Sequence, residues 1–503
     1  MTSHSSRIFT ILHSVALVSA FLAGWLALTA LTQTAAMAQV SHPKTSSANL
    51  NLSDFFHSPA AGSDTLQFLP AANYLSGEAE SQFIVVADLN GDGFPDAIVG
   101  GQQGDVTIFL GRADGVFKRS TTYGIASGAI AAADLNGDHK VDLVIASGNS
   151  VVVMLGNGEG TFQSPAAFDT GDDAHGLAVA DVNRDGIPDI VTASFLSGTV
   201  SVLLGNGDGT FQAPRVYPTN ANSLLLVAVA DFNGDGNPDL AISSYGGPIG
   251  GGIMLGNGDG TFQAPIGLNE ASALAVGDLN GDGKMDLVVG GAGFTLSVLL
   301  GNGDGTFTEV TSNGGPVSQF ALADVNNDGK VDVLFSEVDG KEVGILLGNG
   351  DGTLQPATFL NTKRFNQGQI AVADVDGNGK PDVLVSNKTI TPYTNLKGGW
   401  LTVFLNNSGS PSSTVLATSG SPSHFHQPVT FTAAVSANGV PAPDGDLVRF
   451  YKKGMLLGSV PLKGGMASFT TSKLSKGTYE IKATYIGDTS LQNSSATVTQ
   501  VVE

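Results

Sequence analysis

The chain has no cysteine. Disulfides, thiolate metal sites, cysteine nucleophiles and a lipid-modified cysteine are therefore excluded. Charge is scarce and one-sided: 14% of residues are charged, with 23 Lys+Arg against 45 Asp+Glu. So few basic residues argue against nucleic acid as a partner, because phosphates need a cationic footprint. They argue equally against electrostatic docking on anionic lipid. There are two tryptophans and eight histidines, and neither an HExxH nor a GxSxG pattern occurs. A polysaccharide-cleaving site needs converging acid and base groups and aromatic platforms, so the composition points to a chain that is not an enzyme. What is abundant is glycine, with 67 residues, together with 42% hydrophobic residues. This is material for a large all-β core with many tight turns.

The aspartates are not scattered. A nine-residue pattern, Asp-x-Asn-x-Asp-Gly-x-x-Asp with small departures, occurs seven times at intervals of 46–50 residues. Its side-chain oxygens fall on Asp88, Asn90, Asp92 and Asp96; on Asp134, Asn136, Asp138 and Asp142; on Asp181, Asn183, Asp185 and Asp189; and on Asp231, Asn233, Asp235 and Asp239. The remaining three sets are Asp278, Asn280, Asp282 and Asp286; Asp324, Asn326, Asp328 and Asp332; and Asp374, Asp376, Asn378 and Asp382. Three carboxylates about 4 Å apart repel by ~4 kcal/mol per pair at an effective dielectric of ~20. Seven such loops call for a hard cation bound through oxygen, calcium above all. The loops hold 21 of the 45 acids, so seven dications would cancel more than half of the formal net charge of -22.

Position twelve is Val99, Ile145, Thr192, Ile242, Val289, Phe335 or Val385. An EF-hand needs glutamate there, so these are not EF-hands. At ~1 mM calcium and ~0.1 mM affinity each site would add roughly 1.4 kcal/mol. Seven additive sites would give ~10 kcal/mol, comparable to a domain's whole stability, which is a structural role. Two loops depart from the pattern. His139 stands where the other loops have glycine, and the seventh loop exchanges its residues, with Asp376 at position three and Asn378 at position five.

The period predicts a propeller or a solenoid. Four strand signals recur in each repeat, as at 177–180, 190–193, 200–204 and 211–217. A Gly-Asn-Gly-Asp-Gly run at 205–209 supplies the positive φ of a hairpin turn. The acids of such turns (Asp208, Asp259, Asp304, Asp351) read as turn residues rather than second cation sites. Four antiparallel strands in about 47 residues describe a propeller blade. The strand before each acidic loop is small on one face, as at Ala178 and Ala180, which suits the crowded innermost position. The seventh repeat runs into a linker before its fourth strand. Residues 65–75 resemble a fourth strand and are expected to pair there, closing the ring and covering its edges.

Arg7, an apolar run over 8–31 and Ala36-Met37-Ala38 read as a signal peptide over 1–38, with an uncleaved anchor as the alternative because the apolar run is long. No membrane insertion is expected after cleavage. A Ser/Ala/Asn-rich flexible segment spans 39–64, the repeats 65–406 and a Ser/Gly/Pro linker 407–413. Alternating short strands over 414–503 predict a β-sandwich. Acidic loops and hairpin turns share one end of the ring. The loops of the other end, including 171–175, 245–248 and 337–339, vary and suit a partner. Lys363, Arg364, Lys388, Tyr393 and Lys397 would form a basic patch near repeat seven, or simply a longer solvated loop.

The runs Asp-Phe-Asn-Gly-Asp-Gly-Asn-Pro-Asp-Leu at 231–240 and Leu-Gly-Asn-Gly-Asp-Gly-Thr-Phe at 255–262 resemble FG-GAP/VCBS repeats, the blades of integrin-α-type β-propellers. The resemblance covers about 65–406. It implies a calcium ion in each acidic loop, held by side chains at positions 1, 3, 5 and 9 and a carbonyl at 7. Residues 429–433, 448–451, 457–458 and 477–488 resemble a bacterial Ig-like domain of the large-adhesin type, read as a spacer. The expectation is a seven-bladed β-propeller followed by an Ig-like β-sandwich, with up to seven structural Ca2+. It would be secreted or displayed at a bacterial surface as a non-enzymatic recognition or adhesion module for an extracellular protein or glycan. The alternatives are a calcium-dependent polysaccharide lyase or hydrolase, or a purely structural surface component.

Overall fold

The computed structural model describes residues 66–77, 81–101, 105–245, 251–268, 271–290, 296–311, 317–337, 341–363, 368–390 and 397–503. The signal peptide and the segment 39–64 lie outside them, as do Arg364, Tyr393 and the side chains of Lys388 and Lys397. Every regular element among the described residues is a strand.

Seven four-stranded antiparallel sheets follow one plan. In the third, Gly176–Ala180, Asp189–Ala193, Thr199–Leu203 and Arg215–Pro218 pair in chain order. Ala180 lies opposite Asp189, so the acidic loop spans the first two strands, and its last aspartate begins the second. The fourth strand starts later than its sequence pattern predicts. Phe211 makes only a single bridge to Gly205 before regular pairing at Arg215. Pro214 intervenes and has no N–H to donate.

The small-faced strands are the innermost ones. Phe83–Ala87, Ala129–Ala133, Gly176–Ala180, Leu224–Ala230, Ala273–Gly277, Val317–Ala323 and Ile370–Ala373 each touch the next, and Ile370–Ala373 also touches Phe83–Ala87. Such close approach requires small side chains, and Ala131, Ala178 and Ala228 are buried there. Larger residues fill the layers between sheets. Ile84, Phe109, Phe117, Leu384 and Leu401 join the first sheet to the seventh. Each fully buried side chain of this size contributes ~1.5–3 kcal/mol.

The seventh sheet takes its fourth strand from the start of the described chain. Ala72–Gly77 pairs antiparallel with Lys397–Phe404, running from Ala72 opposite Val403 to Gly77 opposite Gly399. Phe68 bridges Asn406. The segment expected over 65–75 is thus a bridge followed by a strand placed slightly later.

The C-terminal part holds two further sheets. One contains Ser413–Thr418, Val429–Ala437, Val440–Pro441 and Met466–Thr471, and the other Leu447–Lys452, Met455–Pro461, Gly477–Tyr485 and Ser494–Val502. Phe431, Phe450, Ile481 and Tyr485 are buried between them. The alternation read from the sequence as a sandwich is this alternation of core-facing and solvent-facing residues.

Candidate metal centres

The fourth acidic loop shows how the pattern folds. Asp231 Oδ1 accepts from the backbone N–H of Gly234 at 2.7 Å and of Asp235 at 3.2 Å, while Oδ2 accepts from Gly236 at 2.9 Å. Asn233 Oδ1 accepts from the Asp235 N–H at 2.9 Å, and Asp235 Oδ1 from the Asn237 N–H at 2.7 Å. Backbone donors thus turn each side chain back over its own loop, and Asn233 Nδ2 donates to Asp235 Oδ2 at 3.0 Å. Gly236 has φ 81°, a left-handed conformation that glycine adopts freely.

Position nine does something that sequence reasoning missed. Asp239 is fully buried, and both its oxygens are engaged by the backbone. Oδ2 accepts from the Phe232 N–H at 2.9 Å, and Oδ1 from Gly256 at 2.7 Å in the hairpin between the third and fourth strands. The same tie recurs from Asp96 to Gly111, Asp142 to Gly156, Asp189 to Gly205, Asp286 to Gly301 and Asp332 to Gly348. It holds acidic loop and hairpin together at one end of each sheet. Glycine is required in the hairpin because a Cβ on Gly205 would lie 2.3 Å from the Pro188 carbonyl oxygen.

Burial drives the position-nine carboxyls up, and the neighbouring aspartates push the same way against the backbone hydrogen bonds. Asp96 and Asp332 are raised to about 7 and Asp189 to about 6, and Asp142, Asp239 and Asp286 are also raised. The donor set is all oxygen and anionic, the chemistry that suits a hard dication, which would reverse this local electrostatic cost.

The departures are accommodated. His139 takes φ 64° and its N–H still donates to Asp134 Oδ2 at 2.8 Å, as the glycines do elsewhere. Lys140, Lys284 and Lys330 at position seven reach back to their own loops at 3.3, 3.7 and 3.9 Å. Exposed pairs of this kind contribute little. Asp208 Oδ1 accepts from the N–H of Thr210 at 2.9 Å and its hydroxyl at 2.5 Å, and Asp259, Asp304 and Asp351 do the same with Thr261, Thr306 and Thr353. These hairpin acids stabilise turns.

The seventh loop differs from the rest. Its carboxylates of Asp374, Asp376 and Asp382 bring ligand oxygens within 4.8 Å of one another. Asp376, Asn378, Lys380 and Asp382 are all buried. The Asp382 carboxylate is tied not to a hairpin glycine but to Asn406 N–H, at 2.7 Å. Of the proposed basic patch, only Lys363 has a described environment; its N–H donates to Asn361 Oδ1 at 2.8 Å.

The chain matches the FG-GAP-like repeat over residues 88–145, 134–192, 188–242, 278–335 and 324–385, and the FG-GAP repeat over 226–261. Residues 416–503 match the bacterial Ig-like domain (group 3). A search of curated proteins gives no match. Among solved structures, the chain is similar to an Agrocybe aegerita lectin described as recognising non-reducing terminal N-acetylglucosamine. The identity is 23% over 57% of this chain and 81% of the lectin, with a TM-score of 0.43. It is also similar to BBS1N, solved in complex with ARL6DN, at 11% identity over 67% of this chain and 96% of that one, with a TM-score of 0.48. At these scores nothing of either protein's binding transfers to this chain. Tandem matches over more than half of the sequence, falling on loops built to a common plan, show that the chain belongs to the FG-GAP-like repeat family and carries a C-terminal bacterial Ig-like domain.

Proposed function

We propose that this chain is a calcium-stabilised, non-enzymatic recognition module, displayed outside the cell as a closed seven-bladed propeller with an Ig-like domain. The pairing of Ala72–Gly77 onto the seventh sheet and the contact of Ile370–Ala373 with Phe83–Ala87 support closure. The observation that carries the metal reading is the common loop geometry. In each loop the side chains at positions 1, 3 and 5 accept backbone N–H bonds of that loop and position nine is a buried, raised aspartate, and in the seventh Asp374, Asp376 and Asp382 also bring carboxylate oxygens within 4.8 Å of one another. Those residues would hold the ion, and calcium would supply charge compensation and cross-bracing. Their carboxylates are committed to backbone N–H groups of their own loops and, at position nine, of the neighbouring hairpin, which suits a structural site rather than acid/base work. FG-GAP-like repeats and bacterial Ig-like domains are typical of extracellular and cell-surface proteins, which supports the location.

The partner end is the end opposite the acidic loops. There Leu196 is 73% exposed in the third sheet and Tyr245 is 43% exposed in the fourth. His175 and Phe195, in two loops of the third sheet, have ring centroids 5.5 Å apart at a 32° tilt, and His175 Nδ1 lies 3.4 Å from the Leu225 carbonyl of the fourth sheet's first strand. Exposed apolar and aromatic groups on adjacent loops are what a glycan or protein ligand docks against. A glycan and matrix-protein array, probed with and without calcium, tests the reading. Binding that needs calcium and is lost in Leu196→Asp/Tyr245→Ala supports it. Unsaturated products from an acidic polysaccharide would show an enzyme instead, and an array without any bound ligand would leave only a structural surface role.

A further inference from the structure

The seventh acidic loop lies against the Ig-like domain, and its sequence is changed to suit. Arg449, on Leu447–Lys452, donates through Nη1 to the Asp376 carbonyl at 2.6 Å and lies 5.3 Å from the centre of the Phe94 ring. Phe94 belongs to the first acidic loop, so one arginine bridges the first and seventh sheets. It is 2% exposed. Lys380, 1% exposed, donates to the Ser408 carbonyl at 2.5 Å and to Leu491 of the Ig-like domain at 2.6 Å. Arg112, in the first sheet's hairpin, donates to the Gly454 carbonyl, and Gln492 Nε2 to Gln67 Oε1 at 2.9 Å. In the other loops the position-seven lysines fold back to their own aspartates in solvent.

The exchange of Asp and Asn in this loop now has a cause. In loops one to six an aspartate at position five accepts from the position-seven N–H. Asn378 accepts the same bond from Lys380 N–H at 2.7 Å, and its Nδ2 also donates to the Asn406 carbonyl at 3.1 Å, which a carboxylate cannot do. The lost charge reappears at position three, on Asp376, beside Arg449. The hairpin glycine is likewise replaced by Asn406, where the chain leaves for the Ig-like domain. Asn407 Oδ1 accepts from Asn493 N–H at 2.8 Å, and Ser410 N–H donates to the Ser490 carbonyl at 2.8 Å. The linker is tied down at both ends of this contact.

We propose that the Ig-like domain is a clasp rather than a spacer: it docks across the first and seventh sheets on the seventh acidic loop, and the cation in that loop and the docked domain stabilise each other. The second half rests on the calcium reading above. Charge explains the coupling. With an ion bound and the carboxyls ionised, Asp374, Asp376, Asp382 and Asp488 face Lys380 and Arg449, while Asp114 and Arg112 pair with each other at 3.5 Å. One dication cancels the remaining two negative charges, and buried charge left uncancelled opposes docking. The contact is held largely by charged and polar groups, the kind of interface that opens when its charges are disturbed.

Hydrogen exchange on the full-length chain tests this. In calcium, Arg449→Glu and Lys380→Met are each expected to raise exchange in 374–382 and in 490–493, whose Gln492 and Asn493 N–H groups bond to the linker across the contact, by ~tenfold or more. The other six acidic loops and the sandwich strands 429–437 and 477–485 should keep wild-type rates. Wild-type rates at 490–493 in both variants would overturn the clasp. Should Arg449→Glu unfold the sandwich itself, Lys380→Met decides, since its side chain lies outside that domain. Excess EGTA on the wild type should also release 490–493. Release of the six open loops without 490–493 would overturn the coupling to the ion. No change in any loop would overturn the calcium reading, and the two variants would still judge the docking.

Discussion

Asp239 separates bracing of the sheet from the metal binding proposed for the acidic loops. Substitution by asparagine keeps the volume but turns one acceptor into a donor. Whichever way the amide sits, its NH2 then faces either the Phe232 or the Gly256 N–H, both buried and both at hydrogen-bond distance now. A lost charge-assisted bond contributes about 1.5–3 kcal/mol, and a buried donor left unpaired costs a further ~1–3 kcal/mol. Part of this is offset because burial already raises the Asp239 carboxyl, so ionising it in the fold is itself unfavourable. The net expectation is a loss of ~2–4 kcal/mol, equivalent to roughly 3–6 °C in melting temperature for about 340 residues unfolding together. The assay is calorimetry in excess EGTA, where no metal contributes. Asp235→Asn, at an exposed position without such a tie, serves as the comparison and should shift the metal-free melt by under ~1 °C. In millimolar calcium both variants should lose stability. A metal-free Asp239→Asn that melts with the wild type would refute the idea that position nine braces loop to hairpin.

Other outcomes follow from the same geometry. In EGTA, stability should fall as pH rises from about 4 to about 7. Burial lifts Asp96 and Asp332 to about 7 in the fold, so the folded chain holds protons that the unfolded chain has already released. With calcium the dependence should reverse, because protons compete with the ion, and paired melts across that range check both signs. His139→Gly should stabilise by up to ~1 kcal/mol, because glycine removes the cost of a left-handed residue and loses part of the gain to chain entropy. Urea titration of the two proteins measures it. Gly205→Ala should cost ~1–3 kcal/mol by forcing a Cβ against the Pro188 carbonyl.

The repeat, the four strands and the donor of the missing seventh-sheet strand were legible because they are local or periodic. Small residues such as Ala178 and Ala180 mark the innermost strand, and Gly-Asn-Gly-Asp-Gly marks the hairpin. The start of the fourth strand was misplaced because alternation continues through Phe211 while Pro214 interrupts the pairing. The bracing role of position nine was invisible. Its second partner, Gly256 for Asp239, sits 17 residues away and speaks only through backbone N–H, which leaves no side-chain signature. The docking of the sandwich left a faint one. Asp376, Asn378 and Asn406 all break the repeat consensus, yet Arg449, the group that makes sense of the first of them, lies 73 residues further on.

Calcium in the acidic loops underlies both the proposed stability of the repeats and the proposed docking of the Ig-like domain. The direct measurement is the melting temperature of the full chain in ~1 mM calcium and in excess EGTA. Seven sites contributing roughly 1.4 kcal/mol each predict a fall of well over ten degrees on chelation. Identical melts in the two buffers would contradict it.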